Sequence, residues 1–446
     1  MPFHRMAVLA AALASAAALA QSPPNASAAA AAPSAPLSSA AERVFEASKP
    51  RIVQVRTLLQ PAGRQSVLGS GFLVTADGLA VTNYHVVSQF VLEPKTYRLE
   101  YLAPDGGKGP LAVLAIDVAH DLAIVKLDRV GLPAFTFDAR SLSGVLPKGE
   151  RIYAMGNPLD LGFTIVEGTY NGLVDKSFDE RIHFSGAINP GMSGGPVANA
   201  QAEVVGINVA KQVGGESVGF LVPARHAAAL LERARRDPPL VLDKAREEVG
   251  RQLEAWQAGF YSAFGGAGFR SVAFGPYTAL ESTAPWMTCW ANTNAGEVPK
   301  PRAAASSMRC SSGQGLFVSD RILTGRMNLS YTYYRATELN AFQFSEALET
   351  ASRATDFNAA GRRLTPQECH DQFVETAPGK RPPLRATWCM RGYREFEGLY
   401  DVTLIALTQD RLREALLSRL SLQGVSYANA LATGQRFLEA IGATQP

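Results

Sequence analysis

The sequence predicts a mainly β chain: a β-rich domain, then a helical bridge, then a separate α+β domain. Three observations carry that expectation. From Arg51 to about Pro223 the chain runs as short β-branched segments broken by glycine, with almost no helical period. Two amphipathic helical stretches follow, interrupted by Pro238-Pro239. From about Gly265 strand-like and helix-like segments alternate, and all four cysteines lie in that last part.

Residues 1–20 read as a leader. "MPFHRM" supplies Arg5, "AVLAAALASAAALA" is apolar but too short to span a bilayer, and Ala18-Leu19-Ala20 is a small-residue cleavage pattern before Gln21. Export follows, with no membrane insertion after cleavage. "QSPPNASAAAAAPSAP" cannot build a core, so 21–40 is expected to be a flexible linker. No cysteine precedes Cys289, which excludes a lipid-modified cysteine at the processed N-terminus.

The main domain is expected over 41–225. "SAAERVFEASKP" has helical spacing and stops at Pro50; "RIVQVRTL", "LAVLAIDVAHDLAIVKL", "RIYAMGNP", "RIHFSGAI" and "SVGFLVPA" are among the strands. Many short strands with turn chemistry argue an antiparallel barrel or sandwich. The bridge, 226–264, contains "ARHAAALLERARRD" and "DKAREEVGRQLEAWQAGFYSAF". In 265–446, "GLFVSDRIL", "MNLSYTYY", "RATWCMRGY" and "GLYDVTLIALT" read as strands; "LNAFQFSEALETASRA", "RLREALLSRL" and "YANALATGQRFLEAIG" read as helices.

Composition excludes little. At 446 residues and 47% hydrophobic the chain can fill ordinary cores, and 43 basic against 40 acidic residues, with no basic run, single out no nucleic acid. An even cysteine count in an exported chain suggests disulfides; close spacing favours Cys289–Cys310 and Cys369–Cys389 among three connectivities. CxxC-like spacing is missing, so no metal site is expected, and no cofactor.

The chemistry-bearing stretch is "INPGMSGGPV", 188–197. A serine hydroxyl is a poor nucleophile unless a base takes its proton, a carboxylate orients that base, and N–H groups receive the oxyanion. Glycines at 191, 194 and 195 allow a turn that points the N–H groups of Gly191 and Ser193 into one hole. Upstream, "GSGFLVTADGLAVTNYHVV" runs through a hairpin at Ala76-Asp77-Gly78 into His85, expected at a strand end. In "VAHDLAIVKL" Asp121 opens an apolar strand, where a carboxylate needs a partner. Gly191–Gly195 also satisfies GxSxG, but Pro196 and the strand-like "VANAQAEVVGINVA" oppose the strand–turn–helix that a nucleophile elbow requires.

Together these segments resemble the chymotrypsin-like serine proteases, in the bacterial HtrA/Deg branch. "GSGFLVTADGLAVTNYHVV" is similar to its histidine motif, "DVAHDLAIVKL" to its aspartate motif, "GNPLDLGFTIVEGTYNGLV" to its mid-barrel segment and "AINPGMSGGPV" to its serine motif. The resemblance implies a double β-barrel with the site between the barrels. His85 is then the general base, Asp121 its orienter and Ser193 the nucleophile of an endopeptidase acting on unfolded or damaged polypeptides. It puts Ala187 at the base of the specificity pocket and Ile207, Asn208, Val218 and Gly219 in its walls. With no charge there, cleavage is expected after small or medium apolar residues. Met192 stands where digestive relatives carry an activating aspartate, and Phe184-Ser185-Gly186 departs from an aspartate common in the branch. "GQGLFV", 313–318, only faintly resembles the peptide-binding loop of the PDZ domains many members carry; a PDZ domain is not expected. A homo-oligomer is compatible with the resemblance. The competing reading is a latent or inactive binding module whose C-terminal domain, of unknown partner, holds an envelope component.

Overall fold

The computed structural model describes residues 39–157, 162–211, 218–313, 315–353, 363–374 and 381–444. The expected leader and nearly all of the linker lie outside the described residues, as do 158–161 of the mid-barrel motif. The last two linker positions, Ser39 and Ala40, already belong to helix α1 (Ser39–Ser48).

The β-rich region forms two closed six-stranded barrels. The first contains β1 (Ile52–Leu59), β2 (Arg64–Leu73), β3 (Leu79–Thr82), β4 (Tyr97–Leu102), β5 (Lys108–Asp117) and β6 (Leu122–Leu127), ordered β1-β2-β3-β6-β5-β4; helix α2 (Tyr84–Leu92) lies between β3 and β4 in the chain. The hairpin expected at Ala76-Asp77-Gly78 joins β2 to β3. Gly78 has φ +95°, and a Cβ there would meet the Arg129 carbonyl at 2.5 Å, so only glycine suits this corner. After the short helix α3 (Ala139–Leu142) comes the second barrel. Its strands are β7 (Arg151–Gly156), β8 (Thr164–Leu173), β9 (Ile182–Phe184), β10 (Pro196–Ala198), β11 (Val204–Lys211) and β12 (Gly219–Pro223), ordered β10-β11-β12-β9-β8-β7. Phe72 and Ile124 of one barrel share a core with Tyr153, Ile207 and Val222 of the other. Helix α1 and helix α4 (Ala224–Arg236) cover it through Val44 and Leu230.

The bridge is α4 together with the long helix α5 (Ala245–Ala267). Beyond it, β13 (Phe269–Phe274) and β14 (Tyr277–Ser282) form a hairpin. β15 (Thr288–Thr293), β16 (Ala303–Ser311), β17 (Leu316–Ser319), β18 (Ile322–Thr324), β19 (Met327–Ala336), helix α6 (Ala341–Ser352), β20 (Glu368–Val374), β21 (Leu384–Gly392), β22 (Leu399–Thr408), β23 (Glu414–Ser426), helix α7 (Tyr427–Glu439) and β24 (Gly442–Ala443) follow. Seven strands make one antiparallel sheet, β15-β16-β19-β23-β22-β21-β20, while β17 and β18 stand apart as a two-stranded hairpin. Both disulfides pair as the spacing suggested, Cys289–Cys310 across β15 and β16 and Cys369–Cys389 across β20 and β21, each joining directly opposed residues.

One expected helix is a strand. "RLREALLSRL" is rich in helix formers, yet most of it lies in β23, between β19 and β22. Leu416 and Leu420 enter one core and Ala415 and Leu417 the other, so the segment is apolar on both faces. Burial between two layers overrides local propensity.

The C-terminal region has its own core, but it is not detached. Ser39–Pro446 forms one compact unit. Leu316, Val318 and Ile322 of the β17–β18 hairpin and Val249 and Leu253 of α5 join Tyr84, Val86 and Val87 in the core of the first barrel. Each aliphatic side chain so buried is worth roughly 1.5–3 kcal/mol. The hairpin is therefore firmly seated on α2.

Candidate active site

His85 lies in the first turn of α2, not at the end of a strand as expected. β3 ends at Thr82, Asn83 is the helix N-cap in extended conformation, and Tyr84 and His85 begin the helix. Asp121 directly precedes β6 and has φ +57°, a left-handed conformation uncommon for a residue with a Cβ. Contacts on every side hold it there. Its backbone carbonyl accepts from Tyr84 N–H at 3.1 Å and from Asn83 Nδ2 at 2.8 Å. Its carboxylate accepts His85 N–H on Oδ1 at 2.8 Å and meets His85 Nδ1 with Oδ2 at 2.7 Å.

That pairing fixes the ring and its protonation. Burial works against a charged imidazole, but the charge and hydrogen bond of Asp121 outweigh it, so His85 is held above the ordinary histidine range. The ring keeps 25% of its side-chain surface exposed. With Nδ1 occupied by the carboxylate, Nε2 is the nitrogen left to exchange a proton.

The serine turn abuts the same segment. Ser70 N–H donates to the Ser193 carbonyl at 2.7 Å, and Ser70 Oγ donates to the Gly191 carbonyl at 2.7 Å. Gly194 has φ +82° and presses so closely on the β3–α2 junction that a Cβ would lie 2.8 Å from Asn83 N. Met192 N–H, Gly194 N–H and Gly195 N–H have internal acceptors. Among the described residues, Gly191 N–H and Ser193 N–H donate to no protein group. Ser193 Oγ reaches the Val209 carbonyl at 3.5 Å, a long contact.

The expected pocket residues separate. Ala187 is exposed, Val218 half-buried, and Gly219 is packed against Ile188 so tightly that a Cβ would come within 2.7 Å of Ile188 Cδ1. Ile207 and Asn208 do not line an open pocket. Ile207 is fully buried between the barrels, and Asn208 is fully buried with Nδ2 donating to Met155 O at 2.9 Å and Met192 O at 3.3 Å. Two adjacent residues of an inner strand point to opposite faces, and here both faces are covered.

Residues 69–207 match the family described as "Trypsin-like peptidase domain". A protein from Chlamydia pneumoniae named "Probable periplasmic serine endoprotease DegP-like" is 34% identical over 186 residues, 40% of this chain and 36% of that one. "Serine protease HTRA2, mitochondrial" from Bos taurus is 31% identical over 206 residues, 43% of each chain. These residues are a trypsin-like peptidase domain of the HtrA type. Among solved structures, "Crystal structure of the serine endoprotease from Yersinia pestis" aligns at 26% identity and TM-score 0.38, covering 44% of this chain and 66% of that one. The chain thus spans less than half the length of these two curated relatives.

Several residues that build this peptidase domain's site escape a reading of motifs alone. Ser70 and Asn83 act through their hydrogen bonds to the serine turn and to Asp121, and Thr82 Oγ1 donates to the Ser70 carbonyl at 2.8 Å. All three are fully buried polar residues at the edge of apolar strands, which is the signal that marks them. Met192 is buried in the core of the second barrel, beside Ile188 and Val197. Phe317, from the far C-terminal region, has its ring 5.8 Å from that of His85, edge to face. No local feature of "GLFV" points to that contact. Among the described residues, no three His, Cys, Asp or Glu side chains converge on a metal position, and no helix is long and apolar enough to cross a membrane.

Proposed function

We propose that the chain is an exported serine endopeptidase in which His85 is the general base, Asp121 its orienter and Ser193 the nucleophile. The observation that carries the reading is the doubly bonded Asp121 carboxylate, which holds both the backbone and the ring of His85 beside the serine turn. In the reaction, Nε2 takes the Ser193 hydroxyl proton as Oγ attacks the carbonyl carbon, and returns it to the leaving amine. The free N–H groups of Gly191 and Ser193 receive the oxyanion. Water then repeats the sequence on the acyl-enzyme. Ala187, Val218 and Gly219 carry no charge of their own that could pair with a lysine or arginine, which supports cleavage after small or medium apolar residues. The leader-like 1–20 and the periplasmic name of the chlamydial relative support export.

A fluorophosphonate probe tests the nucleophile. Purified protein should label at Ser193, and Ser193→Ala and His85→Ala should abolish labelling. Label found on another residue, or labelling that survives His85→Ala, would refute the assignment. Asp121→Asn should lower kcat by about 10⁴, because the ring then adopts the wrong tautomer.

A second reading, a latent site, is favoured by the contact of Ser193 Oγ with the Val209 carbonyl, the one hydrogen bond it makes among the described residues. Under it the resting protein labels only after a peptide is added.

A further inference from the structure

We propose that Phe317 is a substrate-contacting residue of this peptidase, lent to the cleft by the C-terminal region, and that it selects an apolar residue next to the scissile bond. The inference rests on the endopeptidase reading above.

The geometry begins with strand alternation. In β17 Leu316 and Val318 are 3% and 0% exposed and lie in the core of the first barrel, and Phe317 between them packs against the rim of that core while staying half-buried. At that rim its ring meets the imidazole. The Phe317 ring sits 5.8 Å from the His85 ring at 70°, and 6.5 Å from the Tyr84 ring at 69°. It is only half-buried, so it offers apolar surface to whatever lies against His85.

The placement is held from both ends. Tyr84 Oη donates to the Val318 carbonyl at 3.0 Å, tying β17 to the residue before the histidine. At the far end of α2, Arg363 pairs with Glu93 and with Glu395 at 2.9 Å, and its charge also faces Asp320 in the turn between β17 and β18. The hairpin therefore moves with α2, and Phe317 keeps its distance from His85 as a fixed wall.

A base that takes a proton from Ser193 and delivers it to the leaving amine must lie alongside the bond being cut. The side chains nearest to it are the second residue before that bond and the first residue after it. One of these meets the phenyl edge, where an apolar group is favoured and a charged or very small one is not. Specificity is thus shared between the second barrel and a segment that lies about ninety residues beyond it in the chain.

The test is a matched series of peptides on the full chain, varied between Gly, Asp, Leu and Phe at each of those two positions in turn. The wild-type protein should prefer Leu or Phe over Gly at one of them, and Phe317→Ala should reduce that kcat/KM preference by about tenfold. Phe317→Leu, which keeps an apolar wall with a smaller change in volume, should retain most of it. Parallel losses across the whole series would overturn the proposal, because Phe317 would then serve only to hold His85. A uniform rise would overturn it too, marking the ring as an obstruction. A wild-type protein that cleaves none of the peptides and does not label at Ser193 with a peptide present would overturn the endopeptidase reading, and this inference with it.

Discussion

Asp121 spends both carboxylate oxygens on one residue, and the cost of its left-handed backbone is met by the two donors on its carbonyl. If His85 is the base as proposed, its proton is harder to remove than that of a free histidine. Since catalysis needs the neutral ring, hydrolysis should fall as pH drops through a pKa above the ordinary histidine value. The acid limb of kcat/KM against pH should lie correspondingly high. Asp121→Asn removes the charge that raises it, so the residual activity should show its acid limb at lower pH. An unmoved limb would mean that another group controls the rate. Gly194 is the second residue on which the site turns. Gly194→Ala places a Cβ against the Ser70 carbonyl at φ +82°, and the serine turn should lose its docking, with probe labelling lost and thermal stability reduced.

The hairpin bearing Phe317 depends on a polar knot in the large sheet. β22 is irregular between Tyr400 and Val402, and Asp401, 2% exposed, sits at that bulge. Its carboxylate accepts Arg391 Nη2 at 2.9 Å, Tyr393 Oη at 2.6 Å and Gly424 N–H at 3.1 Å. Tyr393 Oη also lies 3.3 Å from Thr324 Oγ1, the last residue of β18. One buried carboxylate thus joins three segments of the C-terminal region to the base of the hairpin. Asp401→Ala removes the acceptor of several buried donors at once, and a loss of about 3–5 kcal/mol in urea unfolding is expected. A loss below about 1 kcal/mol would show that water replaces the carboxylate.

At the scale of the whole molecule, a titratable cluster ties the barrels to each other. His120, in the turn before β6, stacks on His226 of α4 with ring centroids 3.8 Å apart. Asp117 meets His120 Nδ1 at 2.8 Å, and Glu180 meets His226 Nε2 at 2.8 Å and pairs with Arg225. Burial, with the charge of His120 added, pushes His226 down to about 4 despite Glu180. Between about 4 and 6.5 the unfolded chain therefore binds a proton at this position that the folded chain refuses. Stability must then fall as pH drops through that window, by on the order of 1–3 kcal/mol from this residue. Melting temperatures of wild type and His226→Gln should diverge at neutral pH and converge toward pH 4, the variant showing the shallower slope. Nearby, Trp256 of α5 donates to Asp179 at 2.8 Å and Phe178 packs on Trp256, Phe260 and Trp286, so the C-terminal region grips the second barrel as well as the first.

What the sequence determined by itself was local. Alternating β-branched runs with glycine at the corners specify the strands of both barrels, because a period of two commits one face of each strand to a core. The ordered His85, Asp121 and Ser193 motifs were legible because each is a compact run in which neighbours in the chain are neighbours in space. Tertiary structure decided the rest. That His85 begins a helix follows from Asn83 and Tyr84 being tied to Asp121, a contact across strands. Ile207 and Asn208 lost their place in the pocket because the second barrel packs on both faces of β11, and "RLREALLSRL" became a strand because two cores meet on it. Phe317 lies beside His85 only because Leu316 and Val318 are buried in a barrel far back in the chain, and such burial depends on partners that no local pattern names.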